Sequence, residues 1–83
     1  MNIAICDDVY QDKHCLFNSL SSFCATNYFD AAITEYDSGE ALVETFAKGM
    51  FDIIFLDIYM NGLSGIDTAK KIRDIDKECL LVF

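Results

Sequence analysis

The segment Phe51-Asp52-Ile53-Ile54-Phe55-Leu56-Asp57 constrains this chain more than any other. It reads as a buried strand that finishes on a carboxylate. The chain opens in the same way, with Asn2-Ile3-Ala4-Ile5-Cys6 running into the acidic pair Asp7-Asp8. Two apolar strands that end in acid at one edge of a sheet would bring three carboxylates together. Carboxylates that close repel and raise one another's pKa, so fold stability alone does not favour them. A hard divalent cation such as Mg²⁺ relieves the repulsion, because it takes oxygen ligands and needs few protein carboxylates.

The rest of the pattern surrounds these strands. Strands are predicted over Asn2–Cys6, Ala32–Tyr36, Asp52–Leu56 and Cys79–Phe83. The first and third are nearly all apolar, which suits strands covered on both faces. Helices are predicted between them. Val9 to Thr26 carries Leu16, Leu20, Phe23 and Cys24 on one stripe. Ser38 to Lys48 carries Ala41, Leu42, Thr45 and Phe46, and its entry Asp37-Ser38-Gly39-Glu40 fits a capping box with Asp37 as the cap. Ser64 to Asp74 carries Ile66, Ala69 and Ile72, with Ser64 and Asp67 spaced to cap it. The order β-α-β-α-β-α-β with short connections points to a parallel sheet flanked by helices. In such sheets chemistry collects beyond the carboxyl ends of the strands, where Asp7, Asp8 and Asp57 all fall. Proline is absent, so turns rest on Asn61-Gly62, Gly65, Gly39 and Gly49.

Composition narrows the function. Eighty-three residues make one domain at most, with no linker. A formal charge of −8 argues against nucleic acid or an anionic membrane as a direct partner. It suits a cation, or a basic patch on another protein. No apolar run approaches the roughly 18 residues that cross a bilayer, and acid at Asp7 comes too early for a signal peptide. Cys6, Cys15, Cys24 and Cys79 form no C-x-x-C pair and meet a single histidine. Reduced thiols in a cytoplasmic protein are the simplest reading.

Taken together, Asp7-Asp8, Leu56-Asp57-Ile58-Tyr59-Met60, the following Gly65 and the Asp37-Ser38-Gly39-Glu40-Ala41-Leu42 stretch resemble the receiver domain of a bacterial response regulator. The Ile-Cys-Asp-Asp opening and the Asp-Ile-Tyr-Met segment look most like receivers that precede LytTR-type DNA-binding domains. The resemblance implies a flavodoxin-like (CheY-like) α/β fold and the family's strand order, 2-1-3-4-5. It also implies a two-component system in which a sensor histidine kinase passes a phosphoryl group to Asp57. Asp8 would bind Mg²⁺ directly, Asp7 through water, and the backbone carbonyl of Tyr59 would complete the protein ligands. An output domain in the parent chain, DNA-binding and transcriptional, would be the controlled partner. Such a module is a signalling domain rather than an enzyme, with at most weak self-dephosphorylation in a complete domain.

The chain also departs from that family. Asn61 stands where a proline often follows the methionine. The resemblance ends at the fourth strand, so residues 1–83 are expected to be a partial receiver lacking the last βα portion. The family's Ser or Thr would fall just past Phe83, and its Lys well beyond. The fragment is therefore expected to bind Mg²⁺ weakly and to be poorly phosphorylated. The apolar edge Cys79–Phe83 invites pairing with another copy, as a homodimer or a swapped oligomer. Two other functions compete. A phosphohydrolase would commonly carry a second Asp two residues after the nucleophile, where Tyr59 stands. A truncated or degenerate receiver would act only as a dimerisation module. Simpler roles are expected elsewhere: Asp52 at a strand entry, His14 on the surface, Cys6 in the core, and Met60 packed under the loop.

Overall fold

The computed structural model describes residues 1–83 and contains four strands and three helices in strict alternation. These are β1 (Asn2–Cys6), α1 (Tyr10–Thr26), β2 (Ala32–Tyr36), α2 (Gly39–Thr45), β3 (Ile53–Leu56), α3 (Gly65–Ile75) and β4 (Leu80–Val82). The strands form one parallel sheet in the order β2-β1-β3-β4. This is a CheY-like arrangement through its fourth strand, as the alternation predicts.

The two faces of the sheet are unequally filled. Ala4, Cys6, Ile54 and Leu56 point to one face and pack with Leu42 and Phe46 of the α2 segment and with Ala69 and Ile72 of α3. Phe51 closes this core, set edge-on to Tyr36 and stacked on Phe46. On the opposite face Ile3 and Ile5 are buried beneath α1, whereas Ile53 and Phe55 remain half-buried. Thus β1 is covered on both sides as expected, and β3 on one. Along α1, Leu16, Leu20 and Cys24 are half-buried. Phe23 is instead exposed and stacks on Phe29.

Helix α2 departs from the sequence reading at both ends. Its cap is Ser38, whose Oγ accepts the Ala41 N–H at 3.0 Å, not Asp37. The Asp37 carboxylate is taken by Lys13, a buried lysine of α1, so it cannot turn back to the helix. The helix then stops at Thr45, three residues before Lys48. Phe46 swings out to extended geometry and drops its ring into the core, and the chain turns through Gly49 at φ 78°. Asp76 holds that turn by accepting the Gly49 N–H at 3.0 Å. Helix α3 starts as predicted, with Ser64 Oγ accepting the Asp67 N–H at 3.1 Å. Asp52 acts at a strand entry, accepting the Asn2 N–H at 2.7 Å.

Candidate metal centre

The ladder of the parallel sheet delivers the acids. Cys6 lies in register with Leu56 on one side and Tyr36 on the other, and one further backbone bond follows on each side. Asp57 N–H donates to the Cys6 carbonyl at 3.0 Å, and Asp7 N–H to the Tyr36 carbonyl at 3.2 Å. Asp7 and Asp57 therefore leave adjacent strands at one level, with Asp8 next in line. One carboxylate oxygen from each of Asp7, Asp8 and Asp57 lies within 4.8 Å of the others. The three predicted acids are brought together.

These charges are poorly compensated. The structure's one salt bridge joins Lys13 to Asp37, so no lysine or arginine pairs with the cluster. Each acid has a single backbone donor: Val9 N–H to Asp7 at 2.9 Å, Asn61 N–H to Asp8 at 2.9 Å, and Tyr59 N–H to Asp57 at 3.3 Å. Burial pushes the Asp7 carboxyl above its ordinary range, and the charge of Asp57 adds to the shift against the pull of the Val9 N–H. Three carboxylates this close, with no cationic partner, make an oxygen-only donor set that fits a hard divalent cation. Tyr59 sits on the turn leaving Asp57, so its backbone carbonyl is the further protein ligand to be considered. Its side chain is 86% exposed.

The loop between β3 and α3 closes on the cluster because Gly65 lets it. A Cβ there would collide with the Asp57 carbonyl group and the Ile58 backbone. Without one, Gly65 N–H donates to the Ile58 carbonyl at 2.9 Å and the loop folds over. Met60 packs beneath it, its Sδ 3.8 Å from Cys6 Sγ. Cys6 is fully buried, and burial, with the nearby charge of Asp7, pushes its thiol up to about 12. It is a neutral core residue, and all four cysteines are unpaired. A shallow depression of about 460 Å³ lies beside Asp8, bounded by Val9, Ile58, Tyr59 and Asn61.

Sequence reasoning missed three participants. Lys13 precedes Leu16 by three residues on the same stripe, so helical spacing already placed it on the buried face. Glu40 accepts the Leu63 N–H at 3.1 Å, a contact across elements that carries no local signal. The bond from the Asn61 backbone to Asp8 is equally silent in the sequence.

Comparison with known proteins agrees with this geometry. A family model described as the response regulator receiver domain matches residues 3–83. The sensory transduction protein LytT of Oceanobacillus iheyensis is 39% identical over 49 residues, covering 57% of this chain. The match spans 20% of that protein's length. No helix here is long and apolar enough to cross a membrane. With a doubly acidic end to β1, an acid at the end of β3 and a family match along nearly its whole length, the chain belongs to the response regulator receiver domains of two-component signalling.

Proposed function

We propose that Asp57 accepts a phosphoryl group from a histidine of a sensor kinase in the cytoplasm, and that the state of Asp57 controls an output domain that binds DNA. The observation that carries this reading is the meeting of Asp7, Asp8 and Asp57 within 4.8 Å at the carboxyl edge of the sheet. A carboxylate oxygen of Asp57 forms the new P–O bond as the P–N bond to the donor imidazole breaks. The imidazole nitrogen leaves with the electron pair, and the product is an acyl phosphate. Phosphoryl transfer asks a protein mainly for positioning and for neutralised charge. The Tyr59 N–H orients the Asp57 carboxylate. Asp7, Asp8, Asp57 and the Tyr59 carbonyl would hold Mg²⁺, which would supply the positive charge that the transfer needs.

The test is incubation with Mg²⁺ and a small acyl phosphate, read by intact-mass and peptide mass spectrometry. The expected label is sub-stoichiometric, because Lys13 is committed to Asp37 and no lysine or arginine forms an ion pair with the cluster. It should be confined to Asp57, and lost with a chelator or in Asp57→Asn. Label that persists in Asp57→Asn would refute the assignment. A phosphohydrolase is disfavoured, since Tyr59 offers no second acid two residues after the nucleophile.

One further observation favours self-association of the 83 residues. Leu80 and Phe83, each 56% exposed, lie along the edge of the sheet at β4. An apolar edge of this kind pairs readily with another copy. A monomeric mass by light scattering at high concentration would overturn that reading.

A further inference from the structure

We propose that Glu40 is a positioning residue for the metal centre: its carboxylate tethers the β3–α3 loop at Leu63 and so sets the backbone that faces Asp8 and Asp57. The inference rests on the Mg²⁺-dependent reading above and adds to it a residue outside the acid cluster. The loop is pinned at its ends, at Ile58 by the Gly65 N–H and at Ser64 by the cap of α3. Between those ends, two backbone N–H groups tie it to side chains of other elements. Asn61 N–H donates to Asp8 Oδ2 at 2.9 Å, and Leu63 N–H donates to Glu40 Oε1 at 3.1 Å. Gly62 lies between them at φ 75°, and the Glu40 carboxylate occupies the space a side chain would take there.

The two tethers are not equivalent. The first uses an oxygen of Asp8, an acid of the cluster whose carboxylate a bound cation would also draw on. Glu40 lies outside the cluster, so its bond is the one that loading leaves untouched. The base of that tether is rigid. Ser38 caps α2 just before Glu40, and Gly39 packs against Thr68 and Leu63 so closely that a Cβ would overlap the Thr68 hydroxyl. Glu40 itself is exposed, so replacing it removes the tether without opening the core.

Glu40→Ala, Glu40→Gln and Glu44→Ala would be compared with wild type by Mg²⁺ calorimetry and by amide hydrogen exchange in the metal-free protein. Gln keeps an oxygen acceptor for Leu63 but loses the charge, and Glu44→Ala removes a charge from α2 without touching the loop. The expected result is Mg²⁺ binding about threefold to tenfold weaker in Glu40→Ala, with Glu40→Gln and Glu44→Ala within about twofold of wild type. The Leu63 and Asn61 amides should exchange about tenfold faster in Glu40→Ala alone. Equal weakening in the Gln and Ala variants would reduce Glu40 to a distant charge and overturn the proposal, as would unchanged exchange at Leu63. If wild type takes no Mg²⁺, the metal reading fails instead, and Leu63 exchange still decides whether the tether exists.

Discussion

Two acids at opposite edges of the sheet behave in opposite ways. Asp76, at the edge where strands begin, accepts N–H groups from Gly49 at 3.0 Å, Glu78 at 2.8 Å and Cys79 at 3.2 Å. The Gly49 bond and then the Glu78 bond hold its carboxyl below the usual range. Asp7, at the edge where strands end, has one backbone donor and two acidic neighbours, and burial drives its carboxyl upward. The first is a carboxylate used by the fold to join the α2–β3 and α3–β4 connections. The second is held by the fold in a state that stability does not favour. The contrast separates an acid tied into the fold from one left in a like-charged cluster more clearly than burial does, since both side chains are withdrawn from solvent to some degree.

The sharpest way to break that contrast is Asp57→Asn, expected to abolish phosphoryl uptake while leaving the circular dichroism spectrum unchanged. Next is Gly65→Ala, whose Cβ must displace the Asp57 backbone. It should cost about 1–3 kcal/mol in urea unfolding and remove Mg²⁺ binding with it. Its counterpart at the other edge is Gly49→Ala. A Cβ at Gly49 would meet nothing within 4 Å, so only its left-handed backbone resists the change, at about 1–2 kcal/mol, and Mg²⁺ binding should survive.

The pH dependence separates the two acids directly. Asp76→Asn should lower Tm by several degrees at pH 7. A depressed carboxylate stabilises above its unfolded pKa of roughly 3.9 and loses that contribution as pH falls through its lower folded value, so the deficit should close in acid. Asp7→Asn is the smallest effect and has the opposite sign. A raised carboxylate favours the folded state at low pH and loses that advantage as pH rises through the folded value. Metal-free Asp7→Asn should therefore melt slightly above wild type at pH 7, and the gain should vanish toward pH 3. A melting gain that persists in acid would assign the effect to packing instead.

Much of this is legible in the sequence. The apolar runs, their acidic ends and the helical stripes between them placed every strand to within a residue at each end. What went astray was local chemistry with a distant competitor. Asp37 had the right spacing to cap α2, but Lys13 reached it first, and Ser38 took the cap. Helix α2 had the pattern to reach Lys48, but core entry by Phe46 and the Asp76 bond to Gly49 ended it at Thr45.

The sequence alone determined the alternation of strand and helix and the identity of the residues at each strand's carboxyl end. Those depend on periodicity and on neighbours close in the chain. Only the tertiary structure decided that Asp7, Asp8 and Asp57 share one hollow with no lysine or arginine paired to them, and that Glu40 and Asn61 hold the loop above it. Those relations join groups 23 to 53 residues apart, and carboxylates and amides with many available partners are assigned by distance in space, which no local pattern encodes.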